Sequence, residues 1–436
     1  MPLGRGIIAS LMGGLALASG QSHAAPPEGP DAPSYDKMQV MADIMTIVER
    51  EYVEPVETRA LIEGALNGAL SKLDPHSAYV PPTDFSEQRE AARREYGGLG
   101  IEVLMEDGLI KITYALEEGP AYAAGIRTGD FITAVEGVSI RDQDLDDAVE
   151  GIRGLAGDPV DVTVQSPNGV TRVVTVIRQQ VRGRALRHRV EDGLAYVVIE
   201  SFNNDRLTGD MVRALEILQG ELGGEIPGLI IDLRGNRGGL LTQSVSISGL
   251  FLDGGEVLSV RGRDDRDTER YHAEDGETLA GVPIVVLVSP GSASAAEILA
   301  GSLQDRGRAI VVGRRTFGKG SVQSVTPLPG EKGALRLTTQ KYYTPSGKSI
   351  QGRGIMPDLL VSALDDDGEL RRRFREDSLP NALINLDETD YEEKYDDVLF
   401  PPENFPRDED FQLATAVRIL KSPRYAELLD AQSDLD

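Results

Sequence analysis

Among 436 residues the chain has no cysteine, no tryptophan and only 4 histidines, and aromatic residues make up 5% of it. The missing cysteine excludes disulfides, thiol catalysis and thiolate metal sites throughout the chain. Positive charge is also scarce: 45 Lys and Arg face 71 Asp and Glu, giving a net charge of −26. Such a field repels polyanions, so nucleic acid is excluded as a partner. Long apolar runs are rare. The stretch Ile7 to Ala18 is too short to span a bilayer, and no later segment approaches the ~18 apolar residues that would. With Arg5 before it and the small-x-small run Ser22-His23-Ala24 after it, this stretch reads as a secretory signal over residues 1–24. An exported protein follows, with a bacterial periplasm as the best fit and a membrane-associated form if the signal stays attached.

What is present is ample for folding. Apolar residues make up 40% of a length that exceeds one ordinary domain, so two or three globular units are expected. In the N-terminal helical region, 35–95, Met38, Met41, Met45 and Val48 recur at helical spacing, and a second helix covers Thr58 to Leu73 before the turn Asp74-Pro-His-Ser77. From 96 to 181 the texture changes to short β-branched runs punctuated by Gly and Asp, with one helix near Leu145 to Leu155. From 184 to 360 strands alternate with helices: Ala195–Ile199, a helical run from Leu207 to Leu222, Gly228–Leu233, Pro283–Val288 and Ala309–Val312. That alternation is the pattern of an α/β core. Residues 361–436 form an acidic region, with loops at Asp365–Gly368 and Asp387–Asp397 and a terminal amphipathic helix from Asp410 to Leu420.

Two segments carry chemistry. Gly291-Ser-Ala-Ser-Ala-Ala-Glu297 follows the apolar run Pro283–Val288, so it reads as strand, tight turn and helix. A hydroxyl at that junction sits at a sheet edge, where the free N–H groups of a helix start can face an oxyanion. The second segment is Phe317-Gly-Lys-Gly-Ser-Val-Gln323. A serine needs a base. The histidines offer little: His23 leaves with the signal, and His76, His188 and His272 lie in polar segments with no Gly-x-Ser-x-Gly elbow nearby. Lysine can serve instead when burial lowers its pKa from ~10.4 toward ~7–8. Lys319, between two glycines and beside Phe317, is placed for that.

The ordered set Asp74-Pro-His-Ser77, Asp232-Leu-Arg-Gly-Asn-Arg-Gly-Gly239, Gly291–Gly301, Gly318-Lys-Gly-Ser-Val-Gln323 and Tyr343–Asp358 resembles the carboxyl-terminal processing (tail-specific) proteases. Tyr96-Gly-Gly-Leu-Gly-Ile-Glu-Val103 and the glycines after it resemble a PDZ domain, inserted where that family carries one. The resemblance implies a multidomain α/β protein: a crotonase-like protease core, an inserted PDZ domain and an N-terminal helical segment. It implies Ser294 as nucleophile, Lys319 as general base and Gln323 as the group that orients the lysine. The oxyanion hole would be the N–H of Ala295 with that of Gly238 or Gly239, and Ser292 would shape the turn. Gly98, Leu99, Gly100, Ile101 and Val103 would bind a substrate's free C-terminus, with Leu99, Ile101 and Val103 lining an apolar pocket. Substrates would be exported proteins with apolar tails, and no metal or cofactor is called for. The reading leaves room for an adaptor protein and for a homo-oligomer built through the N- and C-terminal helices. A rival is a catalytically inactive PDZ scaffold; acyl-group chemistry would need a coenzyme A site that the sequence does not display.

Overall fold

The computed structural model describes residues 35–86, 96–106, 108–116, 119–141, 143–180, 185–363, 375–383, 385 and 398–433. The signal segment 1–24 and the acidic loops Asp365–Gly368 and Asp387–Asp397 lie outside them. The chain divides into two compact units, 1–64 and 65–436. In the first, the helix Tyr35–Glu51 leaves Met38, Ile44 and Ile47 exposed and Met41, Met45 and Val48 half-buried. The second helix, which crosses the division, ends at Leu70, three residues short of the sequence expectation. Among the described residues no helix is long and apolar enough to cross a membrane.

The second unit is organised around a six-stranded sheet in the order Leu186–Glu191, Leu194–Ile199, Leu229–Asp232, Ile284–Val288, Ile310–Gly313 and Leu359–Leu360. The first pair is antiparallel and every later pair is parallel. All five residues of Ile284–Val288 are buried, as expected for a parallel strand covered on both faces. The side-chain period of two divides them: Ile284, Val286 and Val288 join one core, and Val285 and Leu287 join the other. The first core is closed by the helices Leu207–Glu221, Leu241–Leu250 and Ala295–Asp305. Helix Leu207–Glu221 buries Leu207, Met211, Ala214, Leu215 and Leu218, and burying a large apolar side chain fully contributes about 1.5–3 kcal/mol.

The second core is closed by the helix Phe411–Leu420, whose Phe411, Leu413, Ala416 and Ile419 pack beneath Ile230, Val285 and Ile310. The terminal helix is part of the sheet's own packing, because its apolar stripe covers a face that would otherwise meet water. Asp410 caps it, its carboxylate accepting the Leu413 N–H at 3.0 Å.

A separate five-stranded sheet joins Ala78–Val80, Ala334–Tyr343, Glu256–Arg261 and Thr268–His272, with Ser321–Pro327 also paired to Ala334–Tyr343. Residues 101–177 form an antiparallel sheet around a third core that includes Leu99, Ile110, Ile112, Ile132, Val162 and Val164. Its helix runs Leu145–Ile152, capped by Asp144, and stops before Arg153. Leu99 is only 2% exposed, and its side chain is part of this core. Ile101 and Val103, two residues apart on one strand face, are both half-buried against that core. A three-stranded ribbon, Gln179–Gln180 beside Tyr96–Gly98 beside Gly154–Leu155, ties together the two ends of this module.

Candidate active site

Ser294 caps the helix Ala295–Asp305 at φ 56° and ψ −116°, a left-handed backbone that is strained for a residue with a Cβ. The strain is held by a buried carboxylate. Glu297 is fully buried, and its Oε2 accepts the Ser294 N–H at 2.7 Å. The same Oε2 accepts the Lys319 N–H at 2.9 Å, while Oε1 accepts the Gly318 N–H at 2.7 Å and the Thr316 hydroxyl at 2.5 Å. Two nitrogens that share one acceptor atom lie within about 6 Å of each other, so Glu297 brings the two chemical segments together. Burial drives its pKa up, and the hydrogen bonds from Thr316, Ser294, Gly318 and Lys319 offset only part of that, leaving it at about 7. Nothing in the sequence reading assigned Glu297 a task. The signal was present, because Ser294-x-x-Glu297 is the capping-box spacing in which the N3 carboxylate reaches back to the N-cap N–H.

The loop Asp232–Gly239 supplies the opposite wall. Asp232, at the end of its strand, accepts the Tyr196 hydroxyl at 2.7 Å and pairs with Arg234 at 2.6 Å; Arg234 also pairs with Asp410 at 2.7 Å. Burial acts against the charge of Arg234, but its bonds to Asp232 and Asp410 outweigh it and raise the guanidinium pKa further. Asn236, 1% exposed, donates to the Ile199 carbonyl at 2.8 Å and accepts the Gly238 N–H at 2.8 Å, and its own carbonyl accepts the Ala293 N–H at 2.9 Å. A Cβ on Gly238 would lie 2.9 Å from the Ser294 Cβ, so the loop is pressed against the serine.

These bonds separate the two oxyanion candidates. The N–H of Gly238 is spent on Asn236, whereas those of Gly239 and Ala295 have no acceptor among the described residues. Ser292 is buried, donating to the Leu233 carbonyl at 2.8 Å and accepting the Ser289 N–H at 3.0 Å, as its turn-shaping part requires. Ser294, Lys319 and Gln323 are each half-buried. Among the described residues no hydrogen bond links their three side chains. The Gln323 amide nitrogen instead donates to Ser321 Oγ at 3.0 Å and Thr338 Oγ1 at 3.2 Å.

The PDZ-like loop is distant in sequence and has donors of its own. The carbonyls of Leu99 and Gly100 are occupied by the N–H groups of Ala121 and Leu116, while the N–H groups of Leu99 and Gly100 have no acceptor among the described residues. Gly98 lies in the ribbon, paired with Gln179. Among the described residues the strand Ile101–Glu106 pairs only with Leu109–Ala115, so no described strand covers its outer edge.

Comparison with known proteins agrees with this layout. Residues 193–361 match the profile of Peptidase family S41, 111–166 that of the PDZ domain and 17–82 that of the Activating protease CtpB N-terminal domain. The chain is 42% identical over 331 residues to the carboxy-terminal-processing protease of Bartonella bacilliformis, covering 75% of this chain and 76% of that one. To the carboxy-terminal processing protease CtpB of Bacillus subtilis it is 33% identical over 333 residues, covering 73% and 66%. The solved photosystem II D1 C-terminal processing protease aligns with a TM-score of 0.46 at 27% identity, over 75% of this chain and 93% of that one. Together the matched profiles define a serine-type peptidase carrying a PDZ domain. The chain belongs to the carboxy-terminal processing proteases of Peptidase family S41, enzymes that act on protein substrates.

Proposed function

We propose that the chain is a Ser/Lys endopeptidase that cleaves exported proteins near their C-termini after capturing the free tail on its PDZ domain. The observation that carries this reading is the sharing of Glu297 Oε2 by the backbones of Ser294 and Lys319. The Ser294 hydroxyl attacks the scissile carbonyl carbon while the neutral Lys319 amine takes its proton. The oxyanion of the tetrahedral intermediate accepts from the N–H groups of Ala295 and Gly239. The lysine ammonium then protonates the leaving amine, an acyl-enzyme remains on Ser294, and water attacks it as the amine again removes a proton. Gln323 steadies the lysine during these transfers. The alternation of parallel strands and helices supports a crotonase-like core, with the nucleophile at the carboxyl end of Ile284–Val288.

In the PDZ domain, the N–H groups of Leu99 and Gly100, which have no acceptor among the described residues, are suited to a terminal carboxylate, and the edge of Ile101–Glu106 that no described strand covers is suited to an added strand. Ile101 and Val103 would meet an apolar tail there. A periplasmic location, an adaptor protein, and self-association through the exposed apolar face of Tyr35–Glu51 and through the C-terminal helices belong to the same reading. The test compares cleavage of paired free-acid and amidated peptides by the full chain. Amidation removes a charge-assisted hydrogen bond and is expected to weaken capture by about ten- to a hundredfold. Equal rates for the two peptides would overturn carboxylate recognition.

A further inference from the structure

The turn Asp74-Pro-His-Ser77 has so far no part in the chemistry, yet it reaches the base segment by two routes. Asp74 is 3% exposed and receives four hydrogen bonds. Its Oδ1 accepts the His76 and Ser77 N–H groups, both at 2.8 Å, and the Thr338 hydroxyl at 3.0 Å, while Oδ2 accepts the Ser77 hydroxyl at 2.6 Å. Burial acts to raise the Asp74 pKa, but these bonds outweigh it and hold the carboxyl below its ordinary value. An ionised carboxylate can only accept, so the Thr338 proton is spent on Asp74. The Thr338 oxygen is thereby left as an acceptor, and the Gln323 amide nitrogen donates to it at 3.2 Å. That nitrogen's other hydrogen goes to Ser321 Oγ at 3.0 Å. With both amide hydrogens used, the Gln323 carboxamide has only its oxygen to offer Lys319. A flipped amide would set that oxygen against a threonine lone pair.

The second route fixes the backbone beside the lysine. The Gly320 N–H donates to Gln351 Oε1 at 3.1 Å, and the Gln351 amide nitrogen donates to the buried Glu376 at 2.9 Å. Glu376 also bonds His76 Nε2 at 2.8 Å. One turn thus governs both the lysine's backbone and its glutamine.

We propose that Asp74 and Thr338 are positioning residues for catalysis: together they fix which end of the Gln323 carboxamide is presented to the Lys319 amine. The proposal rests on the Ser/Lys reading above, and the experiment keeps the two apart. In the full-length protein, Thr338→Val removes the hydroxyl at nearly constant volume. It is expected to lower kcat about ten-fold with KM unchanged, whereas Thr338→Ser recovers wild-type kcat. In a Gln323→Ala background, Thr338→Val is expected to cost nothing more, because its effect runs through the glutamine. Asp74→Asn is expected to repeat the loss; if it does not fold, the Thr338 pair decides alone. A Thr338→Val protein at wild-type kcat, or a Thr338→Ser protein as slow as the valine variant, would overturn the proposal. Ser294→Ala is measured alongside. Activity in that variant sinks the Ser/Lys reading itself, while an inactive Ser294→Ala beside a fully active Thr338→Val sinks only the positioning role.

Discussion

On the nucleophile side of the site, Ser294, Ala293 and Gly238 are all tied by named hydrogen bonds to Glu297 or Asn236, and both of those side chains are buried. On the base side the backbone is equally fixed, since the N–H groups of Gly318, Lys319 and Gly320 each have a side-chain acceptor. Of the side chains there, the Gln323 amide is held by Ser321 and Thr338, whereas the Lys319 amine has no hydrogen-bond partner among the described residues. Lys319 is bonded to neither Gln323 nor Ser294, so on the Ser/Lys reading proposed above its amine is the adjustable part, while the backbone of the serine is the rigid part. A fold that separates these demands can alter proton transfer through side-chain settings while the strained serine and the donors around it stay in place. Positions on the two sides should therefore respond differently to mutation.

Removal of the reacting groups gives the largest effect. Ser294→Ala and Lys319→Ala are each expected to lower kcat by about 10⁴-fold or more in a folded protein, and the double variant no further, because the two act as a unit. Steady-state cleavage with a thermal melt checks this; a double variant much worse than either single one would mean they act separately. Next comes Gly239→Ala on the rigid side. Its φ is 144° and an added Cβ would sit 2.4 Å from the Phe202 carbonyl carbon, so the loop must move. Loss of one oxyanion donor is expected to lower kcat by roughly 10²-fold. A smaller effect belongs to Glu297→Gln, which touches both sides. The amide nitrogen would face N–H donors it cannot accept, with an expected stability loss of about 1–3 kcal/mol in denaturant unfolding.

That variant also carries a pH signature. Folding raises the Glu297 pKa from 4.5 to about 7, so the native state holds this proton more tightly than the unfolded chain does. The group's contribution to stability is full below pH 4.5 and is lost as pH rises through about 7, a swing of about 3 kcal/mol. Glutamine does not titrate. The stability advantage of the wild type over Glu297→Gln should therefore shrink across that window, and a constant difference would place the Glu297 titration elsewhere.

The parts of this architecture that depend on neighbours in sequence were legible there. The alternation of strands and helices, the all-apolar run before Gly291, the glycine-punctuated PDZ texture and the terminal helix from Asp410 all follow from local rules. Contacts between distant segments were not. Asp74 meets Thr338 across 264 positions, and a single sequence carries no trace of that pairing. The terminal helix displayed an apolar stripe but not the sheet face it covers. The choice between Gly238 and Gly239 depends on where the Asn236 side chain points, and residue identity does not record that. The burial of Leu99 in the core is a case of the same kind: a leucine in a recognition loop and a leucine in a core are the same letter.

The ribbon at the PDZ boundary has an architectural consequence. Gln180 lies across from Gly97 and Gln179 from Gly98, so the chain leaves the module on the strand next to the one by which it entered. Adjacent strands lie about 5 Å apart, and the rest of the polypeptide therefore spans almost the same gap whatever is held between them. Such closed insertions behave as exchangeable cassettes, because a foreign domain with neighbouring termini can replace one without stretching its host. On the tail-capture reading proposed above, grafting a PDZ domain of different tail preference between residues 98 and 179 is expected to redirect the enzyme to new substrates while its peptidase half keeps its own geometry.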